Sequence, residues 1–103
     1  MVTEHAVLHV DPERAAEFEE AIGRGIRFPQ RSAGFRRARL LKGIEQPGTY
    51  LLLIEWDSVE AHTEEFRRSS LFAEWRAAVG VHFVSDPEVA HFEERPLEPH
   101  RGT

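Results

Sequence analysis

The stretch Tyr50–Arg76, YLLLIEWDSVEAHTEEFRRSSLFAEWR, contains the features that decide the fold. Four consecutive aliphatic residues lead towards Trp56, and polar residues then end the apolar run. A short apolar run bounded by polar residues is typical of a strand buried on both faces. Asp57 is a good helix N-cap residue, and Glu60 three positions later completes a capping-box pattern. The stretch therefore predicts a buried strand, a turn at Trp56-Asp57, and a helix beginning at Ser58.

The residues downstream predict two further elements after this first helix. The helix is expected to run from Ser58 to about Arg68, and Ser69-Ser70 interrupts its pattern. Leu71–Val79 then predicts a second helical segment, which ends at Gly80. After a loop, Val89–Glu94 predicts the last strand.

The residues upstream predict a strand, a helix and a hairpin. Val2–Val10 alternates between apolar and polar residues, as a strand does. Asp11-Pro12 then supplies an N-cap and a first helical position, and apolar residues recur at helical spacing as far as Ile26. We expect a loop over Phe28–Gly34. Phe35–Leu41 predicts a second strand, which the turn Glu45–Gly48 joins to the strand of the opening stretch.

The element order is therefore β-α-β-β-α-β, the ferredoxin-like α+β arrangement, with both helices on one face of a four-stranded antiparallel sheet. We expect Leu52, Ile54 and Val7 to lie on the uncovered face. Exposed aliphatic residues in that number favour a homodimer, in which two sheets pack face to face and each subunit keeps a cavity between its sheet and its helices or partner. The domain is expected to span residues 1–95, with a tail over residues 96–103.

Composition limits the class of protein. A chain of 103 residues corresponds to one domain. The absence of cysteine excludes a disulfide framework and a thiolate nucleophile, and suits the cytoplasm, where we expect the protein. The net charge of −5 argues against a nucleic-acid partner. No apolar run approaches the ~20 residues that span a membrane, and the N-terminal residues lack the pattern of a signal peptide.

A basic segment between Gly23 and Gly43 holds seven cations and no acid. It could bind phosphate or nucleic acid, but aromatic residues at the spacing of RNA-binding domains are missing. We prefer a charged edge strand that resists pairing with other sheets, or a segment that pairs across a dimer with the acidic first helix.

Three residues of the opening stretch are candidates for chemistry. His62 shares a helical face with Val59 and Phe66, so it is either a proton acceptor in a pocket or a histidine hydrogen-bonded in the core. Arg76 lies at the edge of an apolar stripe, where it either holds a phenolate or carboxylate or remains a surface arginine. Trp56, at the end of the strand, can form a pocket wall, fill the core or contact a second subunit.

Metal and cofactor signatures are not apparent in the sequence. His5 and His9 share a face of the first strand, and His91 lies on a neighbouring strand, but no HxH or HExxH spacing is present. No glycine-rich phosphate loop or nucleophile elbow occurs. We therefore expect no metal and no cofactor.

The pattern GF…PGTYLLLIEWDSVEAHTEEFRRSSLFAEW…F, on this topology, resembles the antibiotic biosynthesis monooxygenase family over about Thr3–Glu94. The resemblance implies a dimeric α+β barrel that uses no metal, flavin or haem to oxidise aromatic polyketides. Enzymes of this kind have a tryptophan at the strand end, a polar ring six residues later and an arginine twenty residues later. The matching positions here are Trp56, His62 and Arg76.

The resemblance also implies a substrate pocket. The polar amide that these enzymes place four residues before the tryptophan is Leu52 here. Haem-degrading relatives have an asparagine, a tryptophan and a haem-ligating histidine where this chain has His5, Phe66 and Arg76, so we do not favour haem degradation. The implied substrate-binding residues are His5, Leu52, Phe66 and Phe72, and His62 or His5 is the implied base.

Three functions are compatible with these features, and the first two belong to different classes of protein. The first is a cofactor-independent monooxygenase that uses O₂ on a small aromatic or polyketide-like phenol. The second is a non-catalytic ligand-binding or structural dimer on the same fold, and quinone-handling or isomerase chemistry is a third possibility. An open cavity faced by both His62 and Arg76 would favour the enzyme, and a cavity filled by aromatic side chains would favour the structural module.

Overall fold

The structure, a computed structural model, describes residues 1–98 as four strands, three α-helices and three shorter helical turns. The strands and α-helices, in chain order, are β1 (Val2–His9), α1 (Ala15–Gly25), α2 (Arg27–Gln30), β2 (Phe35–Lys42), β3 (Thr49–Trp56), α3 (Ser70–Val79) and β4 (Glu88–Phe92). The shorter turns are 3₁₀-helical at Pro12–Arg14 and Gly80–His82 and π-helical at Ala61–Phe66. Residues 99–103 of the predicted tail lie outside the described residues.

The strands form one antiparallel sheet in the order β2-β3-β1-β4, which confirms the ferredoxin-like α+β fold. β1 and β3 are central and pair along their whole length, from Val2 opposite Trp56 to His9 opposite Thr49. None of the helices formed by residues 1–98 has the length and apolar character needed to cross a membrane.

The two faces of β3 differ, so the prediction of a strand buried on both faces was wrong. Leu52 and Ile54 are buried beneath the helices, each 3% exposed, whereas Leu51 and Leu53 are half-buried on the other face. The predicted position of Leu52 and Ile54 on the uncovered face was therefore wrong too. Val7 does lie on that face, where it is paired with Leu51. Four consecutive aliphatic residues conceal the two-residue period of a strand, because both faces read as apolar.

The helical segment after β3 begins at Val59, one residue later than the capping box suggested, and becomes π-helical from Ala61. The Ser58 Oγ atom accepts a 3.1 Å hydrogen bond from the Ala61 backbone N–H, so Ser58 is the capping side chain. The Asp57 carboxylate instead accepts a hydrogen bond from Arg36 on β2. At the first helical turn of the chain, Asp11 caps as expected, accepting a 3.0 Å hydrogen bond from the Glu13 backbone N–H.

The helix expected from Ser58 to Arg68 is instead a short π-helical segment. Its last turn is closed by a 3.0 Å hydrogen bond from the Arg67 backbone N–H to the His62 carbonyl, five residues earlier. Ser69 then ends the segment by donating a 2.6 Å hydrogen bond from Oγ to the Phe66 carbonyl. The wider turn changes the direction in which successive side chains point, and periodicity of 3.6 residues cannot predict that.

Two other boundaries also differ from the sequence expectations. The predicted loop Phe28–Gly34 begins inside α2, because Pro29 lies in the first turn of a helix, where its missing N–H has no cost. The last strand is shifted by one to two residues, to Glu88–Phe92 instead of Val89–Glu94.

The basic segment lies mainly on β2, an edge strand of the sheet, as expected for a charged edge. Several of its cations pair with acids of the same chain: Arg36 with Asp57, Arg37 with Glu55, and Lys42 with Glu19. The Lys42 pair reaches the acidic helix α1 within one subunit, whereas the sequence-based hypothesis placed such pairing across a dimer.

Candidate functional site

A cavity of about 390 Å³ lies between the sheet and the helical segments that cover it. Its apolar walls come from Ala6 and Leu8 of β1, from Leu52 and Ile54 of β3, and from aromatic residues above them. The volume is in the range of pockets that hold small organic ligands.

Five of the seven side chains singled out from the sequence line this cavity. They are Leu52, His62, Phe66, Phe72 and Arg76. Leu52 reaches it because it faces the helices, and His62 and Phe66 reach it from the π-helical segment. The cavity is open even though Phe66 and Phe72 contribute to its wall.

Trp56 and His5 lie outside the lining. Trp56 is completely buried behind the cavity, with its indole stacked on the His62 ring at 5.2 Å between centroids and 13° between planes. His5 lies on the opposite face of the sheet, where its ring is 4.3 Å from that of Phe92. This position corrects the expectation that His5 contributes to the pocket or acts as its base, because a strand turns alternate side chains to opposite faces.

Glu4 is the acidic group at the centre of the site. It projects from β1 into the cavity, and only 6% of its surface is exposed. The Trp56 indole Nε1 donates a 2.9 Å hydrogen bond to its Oε1 atom. His62 Nε2 lies 3.5 Å from the same oxygen, which is longer than a good hydrogen bond.

His62 links Glu4 to a second histidine. Its Nδ1 atom is 2.8 Å from Nε2 of His91 on β4, and the His62 residue is 3% exposed. His91 stands directly opposite Glu4 in the β1–β4 register, so the two side chains share a face of the sheet. Glu4, His62 and His91 therefore lie in a polar row that runs from the cavity to the half-buried His91, and its His62–His91 contact is within hydrogen-bond distance.

Burial controls the protonation of this row. Burial raises the pKa of the Glu4 carboxyl from 4.5 to about 6, although the Trp56 hydrogen bond and the charge of Arg67 act in the opposite direction. Burial also lowers the pKa of His62 from 6.5 to about 4, and the charges of Arg67 and His91 add to that effect. The pKa of His91 is lowered by burial and by Arg67. His62 is therefore neutral near pH 7, so its contact with Glu4 is not an ion pair.

Two arginines border the cavity close to one aromatic ring. The guanidinium carbons of Arg67 and Arg76 each lie 5.9 Å from the centroid of the Phe72 ring. Within residues 1–98, neither arginine forms an ion pair with a carboxylate. This side of the cavity therefore offers positive charge to an anionic ligand.

The arrangement combines an apolar chamber, a buried carboxylate beside neutral histidines, and two cations. A carboxyl group with a pKa near neutrality can take a proton from a bound molecule, and the arginines can hold the resulting negative charge. Within residues 1–98 no group of three or more His, Asp or Glu side chains is arranged to hold a metal ion.

Sequence reasoning missed Glu4, Arg67 and the role of His91 in this row. Glu4 had a detectable signal, because it shares its strand face with Ala6 and Leu8, which are buried. The side of β4 on which His91 lies depends on the strand register, and the direction of Arg67 depends on the π-helical turn. Neither can be read from residue spacing.

Comparisons with known proteins place the chain in a family. Residues 1–78 match the family described as antibiotic biosynthesis monooxygenase. The uncharacterized protein YczJ of Bacillus subtilis (strain 168) is 37% identical over 94 residues, which cover 91% of this chain and 99% of YczJ.

Solved structures agree with this assignment. A Bordetella bronchiseptica protein assigned to the antibiotic biosynthesis monooxygenases is 35% identical, with a TM-score of 0.87 over 93% of this chain and 97% of that one. A single-residue mutant of SnoaB, a cofactor-independent oxygenase from Streptomyces nogalater, shares the fold at 24% identity, with a TM-score of 0.73 over 96% of this chain and 97% of that one. The chain therefore belongs to the antibiotic biosynthesis monooxygenase family.

Proposed function

We propose that the protein is a cofactor-independent monooxygenase that oxidises a small phenolic aromatic compound with O₂. Membership of the family supports an oxygenase, and SnoaB, which shares the fold, is described as a cofactor-independent oxygenase. The observation that carries the proposal is an open cavity that His62 and Arg76 both line, beside a buried carboxylate.

The proposed binding mode follows from the walls of the cavity. A flat aromatic substrate packs between the aliphatic floor formed by Leu52 and Ile54 and the rings of Phe66 and Phe72. Arg76 contacts the phenolate or carbonyl oxygen. Trp56, behind the wall, positions the polar groups and does not stack on the substrate itself.

The proposed reaction begins with loss of a substrate proton to a base in the cavity. The resulting electron-rich anion gives an electron to O₂, and the two radicals combine to form a carbon–oxygen bond. The peroxide anion then takes the proton back from the base and becomes a substrate hydroperoxide. In a phenolic substrate that carries a reactive CH₂ group, such as an anthrone, loss of the second C–H proton then breaks the O–O bond. The CH₂ group becomes a carbonyl, and the second oxygen atom leaves as water. Burial protects the anion from bulk water, and the arginine stabilises its charge.

Oxygen uptake with a panel of hydroquinones and anthrones tests the proposal. The assay is run with a chelator present and after metal removal, and the spontaneous oxidation of each compound is subtracted. We expect at least one phenolic substrate to be consumed faster than in buffer, and expect Arg76→Gln to reduce the rate. Ligand binding without any oxygen uptake across the panel would instead support the non-catalytic binding module.

We also propose that the protein acts as a homodimer through the uncovered face of the sheet. Val7, Leu51 and Leu53 provide apolar surface there, between the half-buried rings of His5 and His9. Sedimentation equilibrium of the wild type and of a Leu53→Glu variant tests this. We expect a dimer for the wild type and a monomer for the variant, and a monomeric wild type at micromolar concentration would contradict the proposal.

A further inference from the structure

We propose that Glu4 is the residue that accepts the substrate proton in this cavity, and that His62 and His91 connect it to solvent. The inference rests on the proposed function, because it assigns a role in the same site. It differs from the assignment of His62 or His5 as the base.

The position of the two carboxylate oxygens supports the role of Glu4. Oε1 accepts the hydrogen bond from Trp56 Nε1, which fixes the orientation of the side chain. Within residues 1–98, Oε2 accepts no hydrogen bond. Every fully buried side-chain oxygen or nitrogen atom there does have a hydrogen-bond partner, so Oε2 is not fully buried. Because Glu4 lines the cavity and is otherwise buried, we infer that Oε2 faces the cavity. One oxygen is held while the other is free to take a proton.

The surroundings of Glu4 suit proton transfer near neutral pH. The charged and titratable groups around it are His62 on the π-helical segment, Arg67 directly after it, and His91 on β4. Arg76 on α3 and Asp86, shortly before β4, line the same cavity. Burial raises the pKa of Glu4 to about 6, while it lowers the pKa of His62 to about 4. A base works best when its pKa lies near the working pH, so the carboxylate is the stronger candidate of the two.

The two histidines give the proton a route out of the cavity. His62 Nδ1 lies 2.8 Å from His91 Nε2. His62 Nε2 lies 3.5 Å from Glu4 Oε1, so a proton taken up on Oε2 reaches it only after the carboxyl group turns and this contact shortens. A neutral imidazole can receive a proton on one nitrogen and release another from the second. His91 is partly exposed, so the row ends at solvent. His62 is then a positioning and relay residue, and Glu4 remains able to accept a proton without it.

The test uses the whole protein with two probes, an anthrone for turnover and the hydroxyanthraquinone dye alizarin for binding. Alizarin changes colour when its phenol ionises, so the spectrum of the bound dye reports proton transfer without any oxygen chemistry. Glu4→Gln keeps the size of the side chain and its acceptor for Trp56, and Glu74→Gln, an exposed carboxylate on α3, is the matched control.

The Glu4 carboxylate disfavours a second negative charge beside it, so we expect bound alizarin to ionise at a lower pH in Glu4→Gln than in wild type or Glu74→Gln. With anthrone, Glu4→Gln should lower kcat/KM at least about 100-fold, and its rate should no longer rise with pH near pH 6. His62→Gln should lower kcat/KM about tenfold, and its rate should still rise with pH near pH 6. Both variants are first checked for cooperative unfolding.

Failure of this inference is separable from failure of the proposed function. If Glu4→Gln changes neither the ionisation of alizarin nor the pH profile, Glu4 is not the proton acceptor. If the wild type consumes no oxygen but Glu4→Gln lowers the pH at which bound alizarin ionises, Glu4 faces the bound phenol as proposed and the monooxygenase proposal is overturned.

Discussion

The indole Nε1 of Trp56 donates a 2.9 Å hydrogen bond to Oε1 of Glu4, and both residues are almost completely buried. The pair joins the two central strands, since Trp56 ends β3 and Glu4 lies near the start of β1. It is also the contact that holds the only buried acid among residues 1–98 in place. Both the stability of the fold and the protonation of the cavity therefore depend on this pair.

Trp56→Phe removes the hydrogen-bond donor but keeps an aromatic ring. The ionised carboxylate loses its partner, so we expect the free energy of unfolding to fall by about 2 kcal/mol more at pH 8 than at pH 4. Chemical denaturation at the two pH values measures the difference. Trp75→Phe also removes a buried indole, but within residues 1–98 this indole is not a hydrogen-bond donor to Glu4, so its cost should be similar at both pH values. Equal costs for Trp56→Phe at both pH values would contradict the role of this hydrogen bond.

Glu4→Gln should stabilise the protein at alkaline pH. The pKa of Glu4 rises to about 6 on folding from 4.5, so folding favours the protonated form, and stability is lost as the pH rises from 4.5 through 6. A shift of that size corresponds to about 2 kcal/mol. We therefore expect Glu4→Gln to gain about 2 kcal/mol in unfolding free energy relative to the wild type between pH 4 and pH 8. Glu74→Gln should show no such gain. If the unfolding free energies of Glu4→Gln and the wild type differ by the same amount at every pH, the Glu4 carboxylate is not held in a buried site.

His62 has the opposite dependence on pH. Its pKa falls to about 4 on folding, so it contributes stability above pH 6.5 that is lost as the pH falls towards 4. The loss amounts to about 3 kcal/mol. His62→Gln should remove this loss, so acid denaturation should begin at a lower pH. His82→Gln, which changes a histidine outside the cavity, should keep the acid sensitivity of the wild type. Identical acid titrations of wild type and His62→Gln would show that His62 is not held neutral.

Gly34→Ala should disturb the segment that carries His62. A Cβ atom at position 34 would lie 2.4 Å from the Cβ of Ala61, the first residue of the π-helical segment. The segment must move, so we expect a loss of about 1–3 kcal/mol and a change in the NMR resonances of His62. Gly23→Ala is the matched control, because its new Cβ meets nothing within 4 Å, and in helix α1 it should stabilise by up to about 1 kcal/mol. A fully stable Gly34→Ala with unchanged resonances would contradict this close contact.

Arg76→Gln and Arg67→Gln should weaken the binding of an anionic aromatic ligand. Each guanidinium lies beside the Phe72 ring at the border of the cavity, so loss of its charge should raise the Kd for alizarin by about tenfold. Arg68→Gln is the control, since Arg68 is exposed and pairs with Glu64 through a 2.9 Å contact. Isothermal titration calorimetry at two salt concentrations measures the effect. Equal affinity for all three variants would place the ligand away from the arginines.

The fold could be predicted from the sequence because each element carried a local signal. The Pro47-Gly48 turn is one example: Gly48 has φ of +85° there, and a Cβ atom would lie 2.4 Å from the Val10 carbonyl oxygen. The face of Leu52 was predicted wrongly, because an unbroken apolar run gives no alternation to read. The shift of the helix cap from Asp57 to Ser58 depends on Arg36, which takes the Asp57 carboxylate from a distant strand.

The candidate site could be predicted only in part. Helical spacing placed three candidate residues on or beside an apolar face, and all three line the cavity: His62, Phe66 and Arg76. Glu4 was missed, although it shares a strand face with buried residues. The sequence placed His91 on a strand beside β1, but its position opposite Glu4 required the register of β1 and β4.

Turnover of an anthrone in isotopically heavy oxygen gas, with chelator present, tests the central claim most directly. If the cavity supports cofactor-independent oxygenation, mass spectrometry should show one heavy oxygen atom in the quinone product and one in water, formed faster than in buffer. The rate should fall in Glu4→Gln and persist in Glu74→Gln. Product formation no faster than in buffer, for every phenolic compound that binds, would contradict the claim.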